Sequence, residues 1–384
     1  MRVCLLLLFL HAAMPPARAD SAALTPARIA ALAPDEQPPW LAFLARSRED
    51  LAADLAVIYA ELEAVHPVDW SAPPEGRGVA ELLRKSDDWF ASGEAARVVG
   101  IVASFQTASG GWGKGIDLQT RLRLPGERFS AGAGNWSYAG TFDNGATVAE
   151  LRFLARAAAT QASARAPLAR GLDYVFRAQF PNGGWPQIYP LIGGYHDAVT
   201  LNDNAFVNIL GLLRDVAAGA QGFATLDPTL RLRAGDAVAR GLACLRAAQI
   251  PDGGWAQQHD PLTLAPAPAR AFEMIALASS ESAGVLRFLM ELDAPRDREN
   301  AASVHQAARW LRAVALQKDG RTEWARFYEI GTNRPLFGDR DGSIHYDLRE
   351  ISEERRKGYA WYSASPASAL KKYDKWSAKH ALNP

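Results

Sequence analysis

From about residue 80 onward, apolar positions recur at helical spacing. Leu168, Leu172, Val175 and Phe176 fall at i, i+4, i+7 and i+8, and Val238, Leu242 and Leu245 repeat the spacing. The same punctuation follows these runs. Gln106-x3-Gly110-Gly111-Trp112 recurs as Gln179-x3-Gly183-Gly184-Trp185 and as Gln249-x3-Gly253-Gly254-Trp255. A degenerate fourth copy is Gln317-Lys318-Asp319-Gly320, with Trp324 nearby. The glutamines are 73, 70 and 68 residues apart, so each repeat holds a helix, a Gly-Gly turn, a loop and a second helix. Few alternating runs compete with this pattern. The expected fold is all-α: an incomplete α/α barrel, or α/α toroid, of repeated helical hairpins with long functional loops. Gly-Gly permits positive φ just past a helix end. Most of the tryptophans should plug the space under that turn, leaving at most one or two to stack on a ligand in a cleft.

Residues 1–19 read as an export signal. Arg2 precedes the apolar run Val3 to Leu10, and Ala17-Arg18-Ala19 offers a small-x-small cleavage site. Residues 20–79 form a helical extension rich in Ala, Leu and Glu, interrupted at Pro38-Pro39 and Pro73-Pro74, and residues 80–384 form the catalytic domain. No apolar run is long enough to span a bilayer. The expected location is therefore the periplasm or the medium, with no membrane partner. Cleavage removes Cys4 and leaves Cys244 alone, which excludes an internal disulfide and a Cys-rich metal site. Lys+Arg and Asp+Glu both total 42, so nothing in the bulk charge points to nucleic acid, and any basic site must be local. A monomer is expected.

Two acidic helix starts stand 60 residues apart at equivalent places in adjacent repeats: Asp143-Asn144-Gly145-Ala146-Thr147 and Asn202-Asp203-Asn204-Ala205-Phe206. Each alone is accounted for as an N-cap. In a ring, however, equivalent places converge, and clustered hard oxygens suit calcium. The helix N-termini oppose a cation there, so carboxylate ligation would have to outweigh them. A basic set follows in Arg270, inside a Pro-stiffened loop after the third Gly-Gly-Trp, then Arg340 in an Asp/Gly-rich turn, and Arg355-Arg356 before Lys357-Gly358. Each has a plain structural role open to it: an ion pair with Glu273, a polar turn, and a helix C-terminus, respectively. His259 is expected to make a loop hydrogen bond. There is no HExxH, P-loop, dinucleotide fingerprint or GxSxG elbow.

These residues resemble the family-10 polysaccharide lyases, which are pectate lyases. The similarity runs from about Glu81 to Tyr362. It includes Gly110-Gly111-Trp112-Gly113-Lys114, Gly140-Thr141-Phe142-Asp143-Asn144-Gly145-Ala146-Thr147, Gly183-Gly184-Trp185-Pro186-Gln187-Ile188-Tyr189-Pro190, Leu201-Asn202-Asp203-Asn204-Ala205 and Ser280-Glu281-Ser282-Ala283-Gly284. The resemblance implies a toroid that cleaves polygalacturonate (pectate) by calcium-assisted β-elimination. It implies Asp143, Asn144 and Asp203 as metal ligands, Arg270 as the base, and Arg340 with Arg355 or Arg356 as carboxylate clamps. Lys114, Asn204 and Tyr189 are implied as further substrate contacts. Gly113-Lys114-Gly115 departs from the family's usual Pro-Lys-Asn, and Met274 to Ala278 replaces a more polar stretch. Three alternatives remain: a toroid enzyme acting on another polyuronate, a terpenoid-cyclase-like enzyme suggested by the Gln/Trp repeat, and a non-catalytic carbohydrate-binding protein.

Overall fold

The computed structural model describes residues 23–65, 71–132, 137–220, 222–292, 298–318 and 320–380. The leader expected over residues 1–19 falls outside them. The principal helices are α1 (Gln37–Val65), α2 (Gly93–Ser104), α3 (Val148–Ala157), α4 (Arg165–Ala178), α5 (Ala205–Ala218), α6 (Pro228–Ala247), α7 (Ser279–Glu291), α8 (Arg298–Ala313) and α9 (Ser365–His380). Within each repeat, α3 packs on α4, α5 on α6 and α7 on α8; α3, α5 and α7 also pack side by side as one row. This is the incomplete α/α toroid that the periodicity predicts.

The repeated motif is the joint of this ring. Gln106 donates through Nε2 to the carbonyl of Gly110 in its own turn at 2.8 Å and to that of Pro167 in the next repeat at 2.9 Å. Gln179 does the same to Gly183 (3.0 Å) and Ala237 (2.9 Å), and Gln249 to Gly253 (2.8 Å) and Ser303 (3.1 Å). Gly183 has φ +94°, and a Cβ there would lie 2.2 Å from the carbonyl oxygen of Arg240, so only glycine lets the turn meet the neighbouring helix. Trp112, Trp185 and Trp255 are fully buried. Each indole N–H donates to a carbonyl ten residues earlier, on Val102, Val175 and Leu245. All three are plugs, and none faces a cleft. The fourth copy keeps only half of the device. Trp324 is buried on the carbonyl of Leu311, but the amide of Gln317 turns to Thr322 within its own hairpin.

The N-terminal extension differs from the expected run of short helices. Pro38 and Pro39 lie in the first turn of the 29-residue α1 rather than at a break, because first-turn N–H groups have no intrahelical partner to lose. The helix lies on the toroid. Phe43 packs on Phe180 with ring centroids 4.8 Å apart, and Asp50 takes two bonds from Arg177 at 2.9 and 2.6 Å.

Strands occur only as short pieces inside the inter-helix loops. Gly140–Thr141 pairs with Ile188–Tyr189, and Val199–Thr200 pairs with Gln258–His259, which pairs in turn with Pro266–Ala267. Leu277–Ala278, Phe327–Tyr328, Pro335–Gly338 and Ile344–His345 make a four-stranded sheet. Pieces this short show no alternation in sequence. His259 makes its expected loop bonds, accepting from the N–H of Ala256 (3.2 Å) and meeting the carbonyl of Leu264 (2.9 Å). Cys244 is buried, and burial pushes its thiol up to about 12. Among the described residues no helix is long and apolar enough to cross a membrane.

One buried charge makes the fold pH-sensitive. Glu150, in the first turn of α3, is buried with Oε2 lacking a partner, and burial raises its carboxyl to about 7. The folded chain therefore holds this proton more tightly than the unfolded chain. That stabilisation is complete below the unfolded value and is lost as pH rises through 7. Glu150→Gln should leave the melting free energy nearly unchanged at pH 4 and raise it by about 1–3 kcal/mol at pH 8. Thermal melts of both proteins at the two pH values check this.

Candidate active site

Two strained turns lead into α3 and α5. Asn144 (φ 53°), Thr147 (φ 63°), Asp203 (φ 51°) and Asn204 (φ 61°) all occupy the left-handed region, which costs non-glycine residues energy and concentrates at functional sites. The N-cap positions proper are Thr147 and Asn204, and neither makes a side-chain cap bond. Capping therefore does not explain Asp143 and Asp203. Their turns meet instead: the Asn202 amide donates to Asp203 Oδ2 at 2.9 Å and reaches Asp143 Oδ1 at 3.4 Å. Lys114 pairs with Asp143 from the other side. Burial and the neighbouring Asp143 together raise the Asp203 carboxyl above its ordinary value.

These residues line a cavity of about 190 Å³ that also holds Asn144, Gln257, Arg270 and Glu273. The first, second and third repeats thus contribute Lys114 with Asp143, Asp203, and Arg270. Burial pushes the cavity-wall imidazole of His196 down to about 4, so it is neutral near pH 7. The donor set fits a hard cation: two carboxylates and several amide oxygens, with no sulfur. Among the described residues no group of three or more His, Cys, Asp or Glu is placed to hold a metal ion, so a cation here would also draw on amide oxygens, water or ligand.

The arginines are gathered by a residue that motif reading missed. The guanidinium carbons of Arg355, Arg270 and Arg340 lie 4.5, 4.8 and 5.8 Å from the centroid of the Phe272 ring. Two carboxylates hold the cluster. Glu273, buried, accepts from Arg270 Nε at 2.7 Å and from the Tyr359 hydroxyl at 2.7 Å. Glu354 accepts from Arg340 Nε at 2.9 Å and from Arg355 Nε at 2.6 Å. The hydrogen bonds that Arg270 donates to Glu273 hold its guanidinium well above its ordinary value, so it is charged at rest.

Not every expected contact reaches the cavity: Arg340 and Arg355 do not line it, although both lie on the Phe272 ring beside Arg270. Arg356 is exposed and turns toward the carbonyl of Arg349, whereas its neighbour Arg355 is on Phe272. Tyr189 is fully buried with its hydroxyl on Asp50 at 2.6 Å, so it lies outside the cavity. Asn204 faces away from the cavity, its Oδ1 only 2.0 Å from where a Cβ on Gly284 would stand. The ion pair of Arg270 with Glu273, open from the sequence, is present, but besides Phe272 the reading missed Arg326. Its Nη2 lies 3.4 Å from each of Asn202 Oδ1, Gln257 Oε1 and Glu281 Oε1, behind the carboxylate pair. It sits between the strands Arg321–Ala325 and Phe327–Tyr328, where no sequence motif marks it.

A family model for pectic acid lyase matches residues 106–323 and 312–370. A family 10 polysaccharide lyase from Cellvibrio cellulosa is 31% identical, with TM-score 0.66; the match covers 76% of this chain and 95% of that one. A point variant of that lyase in complex with trigalacturonic acid is also 31% identical, with TM-score 0.66, over 75% of this chain and 96% of that one. No curated protein sequence matches. The toroid and the match to the pectic acid lyase model define a polysaccharide-cleaving enzyme of the lyase type. The chain belongs to family 10 of the polysaccharide lyases. The terpenoid-cyclase-like and non-catalytic alternatives are thereby overturned.

The carboxylate pair gives a direct test of the geometry. Asp143→Asn should lower the Asp203 pKa in calcium-free buffer but leave it above that of a solvated aspartate, since burial persists. Carboxyl NMR titration of the two proteins measures the change, and an unmoved Asp203 would mean the turns do not meet.

Proposed function

We propose that the enzyme cleaves α-1,4-linked polygalacturonate by calcium-assisted β-elimination, leaving unsaturated oligogalacturonides. The observation that carries this reading is the convergence of Asp143, Asn144, Asp203, Lys114 and Arg270 on one cavity in a chain of this family. The complex of the Cellvibrio enzyme with trigalacturonic acid supports the substrate class. The leader over residues 1–19 supports export to the periplasm or the medium, where such a polymer is met.

β-Elimination removes the C5 proton, alpha to a carboxylate, and expels the C4 oxygen. The carbanion is reachable only if its charge flows into carboxylate oxygens and is stabilised there. A calcium ion held by Asp143, Asn144 and Asp203 would supply Lewis acidity at that carboxylate. Arginine forks offer the complementary bidentate contacts, and Arg340 with Arg355 on Phe272 are the pair best placed to give them. Arg270 is the proton acceptor in this scheme, and its position in the cavity wall supports the assignment. Glu273 fixes its plane and keeps it protonated at rest, so proton acceptance requires the minor neutral form. Lys114 sits where it can steady Asp143 or meet a substrate oxygen.

The activity assay is the appearance of UV-absorbing unsaturated ends on polygalacturonate. Chelation should abolish the signal and added calcium should restore it; full activity in excess chelator would remove calcium from the scheme. Highly methyl-esterified pectin should be a poor substrate, because its esters cannot take the arginine forks.

The base has its own test. Turnover should rise with pH and peak well above neutrality. Arg270→Ala should cut kcat by orders of magnitude while calcium-dependent oligogalacturonate binding persists. Arg270→Lys, which keeps the charge but loses the fork, should rescue little. Near-normal turnover in Arg270→Ala would move the role to Lys114 or Arg340.

A further inference from the structure

A second cavity, of about 320 Å³, adjoins the first and shares Asp203 with it. A third, of about 380 Å³, continues from the second between α3, α5 and α7, sharing Asn204 and Arg287. The three cavities are thus neighbours through shared wall residues, and the third is the more open, with Glu291 and Lys372 about half exposed in its wall.

The second cavity is lined by two guanidiniums, Arg287 and Arg326, by two carboxylates, Asp203 and Glu281, and by hydroxyl groups. Arg326 in its wall is balanced by Glu281 at 3.4 Å. Arg287 is less closely balanced: among the described residues it makes no ion pair, although the charge of Glu291 acts on it, and its Nη1 has long contacts to the Ser365 carbonyl (3.3 Å) and Ser368 Oγ (3.4 Å). The nearest acid along its helix, Glu291, is already shared by Arg214 at 3.6 Å and Lys372 at 3.8 Å. Burial makes Arg287 the kind of cation that gains most from an incoming carboxylate.

The wall also holds buried polar atoms without partners, Glu281 Oε2 and Ser365 Oγ, and the Glu281 side chain is almost wholly buried. Such atoms are costly unless a ligand or water completes them. Asn204 supplies an amide here. Its Oδ1 fills the place a Cβ would take on Gly284, three residues before Arg287 and so on the same face of α7.

We propose that this cavity is a distal uronate subsite, in which Arg287 takes the carboxylate of a sugar unit beyond the cleaved linkage and Asn204, Glu281 and Ser365 meet its hydroxyl groups. The inference rests on the polygalacturonate reading above and extends it. The enzyme should gain affinity with chain length from a residue that has no part in bond cleavage.

Oligogalacturonates of three to six units, assayed by the formation of unsaturated ends, test the subsite. The wild-type KM should fall about tenfold between trimer and hexamer, and moderate salt should erode the gain. Arg287→Gln should raise the hexamer KM about tenfold while the trimer KM moves less than about twofold. Arg287→Lys should keep most of the gain, and Ser368→Ala, which removes one contact of Arg287 without removing its charge, should keep all of it. A wild-type KM that does not change with length overturns the subsite, even if the glutamine variant does not fold. Equal losses at all lengths in Arg287→Gln overturn it as well. If wild type forms no unsaturated ends on polygalacturonate, it is the functional reading that fails; if it does but the length gain is absent, only the subsite fails.

Discussion

The structure depends on a side-chain amide that bonds to two backbones at once. Gln106, Gln179 and Gln249 each close their own Gly-Gly turn and at the same time hold a carbonyl of the next repeat. Buried carbonyls need partners, and here one donor group satisfies two elements far apart in sequence. Arg170 and Arg240 reinforce the first two joints by donating to the glutamine oxygens, Arg170 at 2.6 Å. The plugging tryptophan and the positive-φ glycine complete a unit that fixes the angle between successive hairpins. The loops leaving these joints inherit that angle, so residues 60 positions apart arrive in the same cavity.

The ring therefore brings together charges that would otherwise avoid each other. Asp143 and Asp203 approach on turns that hold four non-glycine residues in the left-handed region. The packing of α3 and α5 must outweigh that backbone cost. Three guanidiniums lie around the Phe272 ring, Arg270 paired with Glu273 and both Arg340 and Arg355 with Glu354.

Much of this was legible in the chain because repetition makes position readable. The toroid followed from the Gln-Gly-Gly-Trp spacing, and the meeting of Asp143 with Asp203 followed from their equivalent places in two repeats. What could not be read depended on returning segments with no period of their own. Arg326, and the contacts of Arg340 and Arg355 with Phe272, come together only because the chain after residue 316 folds back over the loops. Tyr189 was misjudged for a smaller reason: in a two-residue strand neighbours face opposite sides, so Ile188 lines the cavity and Tyr189 enters the core. Asn204 was placed in the right neighbourhood but on the wrong side of its turn.

The row formed by α3, α5 and α7 has one more consequence. The residues just before α3 and α5 carry the carboxylate pair, and the first turn of α7 carries Glu281 beside Arg326. Three helix N-termini, each equivalent to about half a positive charge, therefore point at one region. They draw in a polyanion and repel a free divalent cation. A cation arriving alone meets that repulsion, whereas one arriving with a uronate chain finds it largely neutralised. By linkage each ligand must then strengthen the binding of the other by the same factor. In the calcium-assisted scheme proposed above, metal affinity is then a property of the polymer-loaded enzyme, set in part by how the helices are arranged.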